Sequence, residues 1–481
     1  MTYRLASGVE RIRVGDGPAL LSRTPLRLVR LNASLAEVLE RGENLRAQSP
    51  AEARILDDLT EKGLLVRQPG EAIPEDRLPA VSVIIPVKDR SDELRRCLES
   101  LARLRYPKEK LEILVVDDGS RDDTPDVARS LGAQVIPSGG QGRGPAAARN
   151  RGAAAARGEI LAFIDSDCTA SAGWLTELVE PFVDLGRSAG EWNVAVVAVG
   201  GRVEGMHASS ALDRYEAEMS SLCLGRRGRS GQDGNDTFYL PSCNLLVRRK
   251  DFLAAGGFLE ELQVGEDVDL TWRLRDRGGR IVYTPRGWIW HEHRNRLGAF
   301  LRRRFQYGTS EGLLQMLHPQ RRKKMVLPPF LTAAAVLAAL SFLARSWLPS
   351  ALGVALVLFD ALRSWIRLRG RGVPVSPAWV LWARARAWAS LVYYVSYHLV
   401  RYYAAPLILA GVAWPRFGLL AALLAVWAGA VDYRVRRPAL LYPTFLALYL
   451  AEHLAYGAGV FWGCLSRGTF GSYAVLTSAK G

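Results

Sequence analysis

Residues 158–171 read GEILAFIDSDCTAS, an apolar run that stops at two aspartates separated by one serine. The run predicts a buried strand, so Asp165 and Asp167 are expected at its carboxyl end. A second acidic pair, Asp117 and Asp118, ends the apolar run LEILVV. In an open α/β sheet the carboxyl ends of the strands line the ligand crevice, and we therefore expect both pairs at one mouth of the sheet.

Carboxylates this close to each other repel, and a cation between them offsets the repulsion. Mg²⁺ and Mn²⁺ take oxygen ligands and also bind phosphates, so the DSD stretch predicts a divalent-cation site that carries a diphosphate. An Asx turn is the simpler interpretation of an isolated DxD pattern. The second acidic pair at the same edge of the predicted sheet favours the cation site.

Between residues 81 and 314, apolar runs alternate with amphipathic helical patterns, which is typical of an α/β sheet. The four predicted strands are VSVIIPV, LEILVVDDGS, AQVIP and EILAFIDSD. Leucines at helical spacing follow the first strand and predict a helix that packs on the sheet.

Residues 1–68 differ in pattern and predict a small α+β module. A hairpin signal, the capping sequence SPAE at 49–52 and a closing LLVR strand resemble a winged-helix, PqqD-like peptide-recognition domain. A folding appendage without a ligand is the alternative. Residues 69–80 contain three prolines and predict a linker.

Residues 315–481 are predicted to form a hydrophobic helical region, with apolar runs at 326–344, 402–415, 417–431, 438–451 and 454–466. A straight membrane span needs about 20 apolar residues, so short spans or re-entrant helices at the cell membrane are expected. Basic residues just before the first run predict a catalytic part on the cytoplasmic side. A soluble helical domain with long buried helices is the alternative.

The formal net charge of +15 predicts an anionic partner, such as a phosphorylated substrate or an anionic lipid. The chain has no aromatic-interleaved basic motif of the RNP type, and we therefore expect no nucleic-acid partner. The five cysteines are scattered without a CxxC pair, which argues against a disulfide framework and against a zinc site.

Five motifs in order carry a specific resemblance: VSVIIPVKDR, EILVVDDGSRDDT, AAARNRGAAAARGEILAFIDSD, SCNLLVRRKDFLAAGGF and GEDVDLTWRLRDRG. They span about half of the chain, from 81 to 308, and resemble family 2 glycosyltransferases. The resemblance implies a GT-A fold, which is a Rossmann-like α/β core with a mixed, mostly parallel sheet. It also implies sugar transfer from a nucleotide-sugar donor with inversion at the anomeric carbon.

The resemblance further implies roles for residues that bind the donor. Pro86 and Asp89 would border the nucleotide, and Asp118 would hold the uracil or the ribose. Arg149 would contact the nucleotide as well. Asp165 would support both the ribose and the metal.

Metal and acid–base roles follow from the same resemblance. Asp167 would be the principal ligand of Mg²⁺ or Mn²⁺, and His291 is preferred to His293 as a further ligand. Inverting transfer is a single displacement, so a positioned base must take the proton of the acceptor hydroxyl. Asp267, in the ED position of the family, is the expected base, and Glu266 is expected to bind the acceptor.

Two further predictions concern charged residues in helical patterns. Asp269 follows the ED pair and is expected to be a helix cap or a surface residue. The RRRFQYG stretch lies where processive relatives carry QxxRW, and its different pattern gives no support to long-chain synthesis. Arg303 or Arg304 is expected to neutralise the departing diphosphate; a solvated basic face is the alternative.

A PqqD-like N-terminal module, a family 2 core and a hydrophobic C-terminal region follow one another in this chain. This domain order resembles that of the glycosyltransferases of the mycofactocin system. That resemblance implies transfer of one or several β-linked glucose units, from UDP-glucose, to a peptide-derived small-molecule acceptor. Two alternatives stay open. One is a membrane glycosyltransferase that acts on polyprenyl phosphate or cell-wall glycan. The other is a non-catalytic, membrane-bound peptide-binding scaffold, against which the intact acidic motifs argue.

Overall fold

The computed structural model describes residues 2–14, 17–23, 26–42, 44–68, 73–140, 142–183, 196–226, 228–231 and 236–479. The chain forms two compact units, which we call unit 1 and unit 2. Unit 1 comprises residues 1–71, 323–435 and 475–481, and unit 2 comprises residues 72–322 and 436–474. The first part of the predicted linker, residues 69–72, lies outside the described residues.

The N-terminal part of unit 1 is a small α+β module. Its elements are β1 (Thr2–Leu5), β2 (Val9–Val14), β3 (Gly17–Arg23), β4 (Leu26–Arg30), α1 (Ala33–Glu40), β5 (Leu45–Arg46), α2 (Pro50–Glu61) and β6 (Leu65–Gln68). β2, β3 and β4 form one sheet, and β5, β1 and β6 form another. The predicted capping sequence does begin a helix, because the Ser49 side chain accepts the backbone N–H of Glu52 at 3.1 Å. Residues 15 and 16 of the predicted hairpin turn lie outside the described part.

Unit 2 is built around a large sheet with helices on its faces. Its elements up to residue 317 are β7 (Val81–Val87), α3 (Ser91–Leu101), β8 (Leu111–Asp117), α4 (Thr124–Ser130), β9 (Gln134–Pro137), α5 (Pro145–Ala155), β10 (Ile160–Ile164), β11 (Cys168–Ala170), α6 (Trp174–Val179), β12 (Val196–Gly200), β13 (Val203–Gly205), α7 (Ala211–Met219), β14 (Arg229–Gly231), β15 (Asn244–Arg248), α8 (Arg249–Ala254), α9 (Glu266–Asp276), β16 (Arg280–Tyr283), β17 (Ile289–His291) and α10 (Leu297–Leu317).

The large sheet is mixed and has the strand order β14-β16-β12-β15-β10-β7-β8-β9. β10, β7, β8 and β9 run parallel to one another, whereas β15 is antiparallel to both β10 and β12. The four strands predicted from the apolar runs are all present. β7 and β10, inside the sheet, are almost wholly buried, as strands covered on both faces are, whereas β8 is buried mainly in its second half and the edge strand β9 has exposed residues at both ends. This arrangement confirms the predicted α/β class.

A smaller sheet begins directly after Asp165 and Asp167, which follow β10. It consists of β11, β17 and β13, and Cys168 pairs with His291 in the antiparallel register of β11 and β17. This pairing brings His291 next to Asp167, although the two residues are far apart in sequence.

The C-terminal part of the chain is mainly helical. Its elements are β18 (Lys323–Val326), α11 (Pro329–Ala344), α12 (Leu348–Arg369), α13 (Pro377–Ala413), α14 (Pro415–Arg436), α15 (Tyr442–Ser466) and β19 (Val475–Ser478). α11 to α14 belong to unit 1, and α15 belongs to unit 2. Among the described residues, α14 is the one helix that is long and apolar enough to cross a membrane, while α11 is apolar but shorter.

Within unit 2, α15 packs closely along α10. Glycines allow the two helix backbones to touch: a Cβ atom at Gly308 would lie 2.2 Å from the carbonyl oxygen of Tyr456, and one at Gly459 would lie 2.1 Å from that of Phe305. The close approach fixes α10, and α10 carries the predicted diphosphate-binding arginines.

Candidate active site

Arg149 on α5 joins the two acidic motifs of the site. Its guanidinium donates to Oδ1 of Asp165 at 2.6 Å and to Oε1 of Glu266 at 3.0 Å, and its side chain is only 3% exposed. Burial opposes the charge, but Asp165 and Glu266 together raise the pKa of Arg149. The buried guanidinium of Arg149 therefore holds the end of β10 and the start of α9 in a single pocket.

The backbone before α9 aims the ED pair into that pocket. Gly265 has a φ of 84°, a left-handed backbone conformation that residues other than glycine rarely adopt. α9 begins at the next residue. Glu266 and Asp267 therefore occupy the first turn of the helix, where the helix dipole favours negative charge.

Asp267 is partly buried and lies at the positive end of α9. Its Oδ2 accepts the backbone N–H of Ser242 at 3.1 Å, and its Oδ1 accepts that of Val268 at 2.8 Å. Burial and the neighbouring Glu266 raise the pKa of Asp267 to about 7. A carboxyl group with this pKa can take up a proton near neutral pH, which is the property that a general base needs.

Asp167 lies at the centre of the predicted cation site. Its Oδ2 accepts a hydrogen bond from Arg90 at 2.5 Å, and its Oδ1 lies 3.6 Å from Nε2 of His291. One ligand atom each from Asp167, Cys168 and His291 lies within 4.8 Å of the others. The β11–β17 pairing thus brings Asp167 and His291 close enough to share one ion.

The donor set fits Mg²⁺ or Mn²⁺ better than a thiophilic metal. Carboxylate oxygens suit both of these cations. Burial and the charge of Asp167 raise the pKa of Cys168 well above its usual range, so this thiol stays protonated and is a poor ligand. Within the described part of the chain, the buried Nδ1 of His291 has no hydrogen-bond partner. Burial and the nearby His291 lower the pKa of His293 to about 3, so its ring is neutral.

Asp118 shapes the loop that follows β9. Its Oδ1 accepts from the Ser138 hydroxyl at 2.7 Å and from the backbone N–H of Arg143 at 3.0 Å, and its Oδ2 accepts from that of Gly144 at 2.9 Å. The carboxylate is buried. A nucleotide that contacts Asp118 therefore has to share these oxygens with the loop.

Pro86 and Asp89 lie where β7 leaves the sheet. Pro86 pairs with β8 in parallel register, and Asp89 has a φ of 50°, an uncommon backbone conformation for a residue with a side chain. The Asp89 N–H donates to the Ser120 hydroxyl at 2.9 Å, and Oδ1 of Asp89 accepts the N–H of Arg121 at 2.7 Å. These contacts fix the loop after β7 against the loop that follows Asp117 and Asp118.

The two predicted diphosphate-binding arginines have different surroundings. The Arg304 side chain is 3% exposed and forms ion pairs with Glu216 and Glu452, so its charge is already neutralised. The Arg303 guanidinium lies over the ring of Tyr307, 4.7 Å from its centre. Burial opposes the charge of Arg303, but Tyr307 and, to a smaller extent, Glu266 raise its pKa. Of the two, only Arg303 is available to a phosphate.

Sequence reasoning missed three residues near the site. Arg90 pairs with Asp167, and its position directly after Asp89 was the available signal. Burial, and to a smaller extent the charges of Arg303 and Arg90, lower the pKa of Arg294. Arg294 is therefore a further positively charged side chain in this region. Burial and the nearby Asp267 raise the pKa of the Tyr239 phenol, which therefore stays protonated beside the candidate base.

Asp269 was predicted to be a cap or a surface residue, and this prediction is wrong. Its side chain is 1% exposed, and it accepts from Arg273 at 2.6 Å and lies 2.9 Å from Nε2 of His318. The C-terminal end of α10 covers this face of α9, so a charged residue is buried there with its partners.

The family described as Glycosyl transferase family 2 matches residues 82–252 of the chain. The chain belongs to this family of glycosyltransferases and is a transferase, which confirms the predicted family, the GT-A fold and the enzyme class. It is similar to the pre-mycofactocin glycosyltransferase of Mycobacterium tuberculosis, with 33% identity across 96% of this chain and 95% of that protein.

Two further similarities are weaker. The glycosyltransferase AglE of Haloferax volcanii is 31% identical over 247 residues, which are 50% of this chain and 75% of that protein. A solved mannosyltransferase from Pyrobaculum calidifontis, in complex with GDP-Man and Mn²⁺, is 18% identical with a TM-score of 0.44, over 82% of this chain and 91% of that one.

Proposed function

We propose that this enzyme transfers a hexose, glucose from UDP-glucose, to pre-mycofactocin, a peptide-derived small-molecule acceptor. Transfer inverts the anomeric carbon and adds one or several β-linked units. The observation that carries the proposal is the 33% identity to the mycobacterial pre-mycofactocin glycosyltransferase, because it extends over 95% of that protein and not only over the catalytic core.

In this proposal the residues of the pocket divide into a donor side and an acceptor side. Pro86, Asp89 and Asp118 border the nucleotide. Asp165 supports the ribose and the cation, while Glu266 binds the acceptor. The contacts of Arg149 with both carboxylates support this division, because they hold the two sides within reach of one another.

Asp167, Asp165 and His291 would hold a Mg²⁺ or Mn²⁺ ion. When bound, such a cation neutralises the charge that develops on a diphosphate leaving group. Arg303 would add a second positive charge to the same oxygens, which the effect of Glu266 and Asp165 on its pKa supports.

Asp267 would act as the base. The acceptor oxygen forms the new bond to the anomeric carbon as the bond from that carbon to the diphosphate breaks, and the nucleoside diphosphate leaves with the electron pair. The hydroxyl proton passes to the Asp267 carboxylate. A pKa of about 7 supports this role, because a large share of the group is ionised at neutral pH and is still basic enough to take the proton.

We also propose a role for the parts outside the core. Residues 1–68 would bind the peptide-derived acceptor, residues 81–314 would carry out the transfer, and residues 315–481 would attach the enzyme to the cell membrane with its catalytic part on the cytoplasmic side. The apolar helix α14 supports membrane attachment, as do its exposed leucines Leu419 and Leu423.

The test is the identity of the product. The purified full-length enzyme is incubated with a panel of nucleotide-sugars and with either pre-mycofactocin or a polyprenyl phosphate, and the products are analysed by mass spectrometry. We expect hexose addition to pre-mycofactocin with UDP-glucose, loss of product in EDTA, and recovery with Mn²⁺ or Mg²⁺. The D167N variant is the inactive control. Transfer to the lipid phosphate alone would contradict the proposed acceptor.

A further inference from the structure

Arg90 forms an ion pair with the residue that is expected to bind the metal. Its Nη1 lies 2.5 Å from Oδ2 of Asp167, and the other oxygen of Asp167 faces His291 at 3.6 Å. A cation that binds Asp167 therefore competes with a guanidinium for the same carboxylate. Among the described residues, Arg90 and His291 are the basic groups in direct contact with that carboxylate.

The loop that carries Arg90 is fixed, whereas its side chain is long. The backbone N–H of Arg90 donates to the Thr124 hydroxyl at 3.0 Å, and the preceding residue, Asp89, is held by Ser120 and Arg121. The Arg90 side chain itself is 38% exposed. The guanidinium can thus change partners by rotation of its side chain without any movement of the loop.

The surroundings provide a second partner once the nucleotide is bound. Arg90 directly follows Asp89, which borders the nucleotide in the proposed function, and Arg294 and Arg303 add positive charge to the same region. A guanidinium can bind two phosphate oxygens in the same bidentate geometry in which it binds a carboxylate.

We propose that Arg90 exchanges partners during donor binding: it neutralises Asp167 until the cation takes over this carboxylate, and it then binds an oxygen of the donor diphosphate. The inference rests on the proposed function and names a donor-site residue that couples the two binding steps. Arg90 opposes binding of the cation alone and favours binding of the nucleotide together with the cation.

The test measures the two ligands separately on the full-length protein. Mn²⁺ binding without nucleotide is followed by electron paramagnetic resonance, and UDP binding at saturating Mn²⁺ is followed by calorimetry. For R90Q we expect roughly tenfold tighter Mn²⁺ binding and roughly tenfold weaker UDP binding, since each charge-assisted contact has about this effect. R90K keeps the charge and should bind Mn²⁺ like the wild type. R95Q, an exposed arginine on α3, is the matched control.

Opposite changes in the two affinities distinguish this role from support of the loop. If R90Q weakens both ligands, or leaves Mn²⁺ binding unchanged, the exchange of partners is overturned while the proposed function stands. If the wild type binds neither Mn²⁺ nor UDP, the proposed function fails and the inference fails with it.

Discussion

Arg149 donates a hydrogen bond to Oε1 of Glu266 at 3.0 Å, across 117 positions of the sequence. Both residues are buried, so the interaction is shielded from water and its loss leaves a carboxylate without compensation. The second nitrogen of the same guanidinium holds Asp165. Arg149 is therefore the residue that makes one pocket out of two motifs.

The first prediction concerns the R149M variant. Methionine fills much of the same space but leaves two carboxylates unpaired, and breaking a buried pair costs about 3–5 kcal/mol of the free energy of unfolding. We expect a lower urea midpoint and loss of transfer. R151M, which changes an exposed arginine on the same helix, is the control and should unfold like the wild type. Equal stability of R149M and the wild type would show that Arg149 does not organise the site.

The second prediction separates binding from chemistry. D267N keeps an oxygen that can accept the N–H of Ser242 but cannot take a proton. Because a base acts in the transition state, we expect kcat to fall by about 10²–10⁴ while the Kd of UDP changes less than about twofold. Steady-state kinetics and calorimetry provide the two values. Full turnover by D267N would assign the base to another residue.

The third prediction is a pH dependence with a defined sign. Asp267 is active when ionised, and its pKa is about 7, so kcat/KM should rise with pH up to about 7 and then level off. Stability should change in the opposite direction. Since the folded pKa lies above the ordinary value of 3.8, the contribution of Asp267 is full below that pH and is lost as the pH rises through about 7. Thermal unfolding of D267N should lack this part of the pH dependence, and an identical profile would contradict the assignment.

Local pattern was sufficient to predict the four neighbouring strands β7 to β10 of the large sheet, but not the other four strands, β12, β14, β15 and β16. β7 and β10 are the most continuous apolar runs among them, and such runs are buried in the middle of an α/β sheet. The contact of His291 with Asp167 depends on the register of β11 and β17, and the pairing of Arg149 with Glu266 depends on a helix more than a hundred residues away. No periodicity in the sequence specifies these contacts.

Adjacent charged residues show the same limit. Arg303 and Arg304 differ by one position, which rotates the side chain by about 100° around a helix. One of them is then buried against Glu216 and Glu452, while the other lies over Tyr307. Only the packing of α10 decides between the two. In the N-terminal module the strands β1, β4 and β5 were also not predicted.

The fourth prediction concerns the packing of α10 against α15. A Cβ atom at Gly308 would lie 2.2 Å from a backbone oxygen of α15, so G308A has to push the helices apart and should cost about 1–3 kcal/mol. A Cβ atom at Gly298, on the same helix, would meet no heavy atom of the described residues within 4 Å, and G298A should be neutral or stabilising by up to about 1 kcal/mol. Thermal unfolding distinguishes the two variants. Equal melting temperatures would mean that the helices do not touch there.

The last prediction tests membrane attachment through α14. Leu419 and Leu423 are exposed on this apolar helix, and Leu423 lies near its middle, where an arginine in a membrane helix costs about 2.5–3.5 kcal/mol. The double variant L419R/L423R should therefore move from the membrane fraction into the soluble fraction of a cell lysate after a high-salt wash, as measured by immunoblot. L131R changes an exposed leucine of unit 2 and should stay with the membranes. If the double variant and L131R fractionate alike, α14 does not lie in lipid.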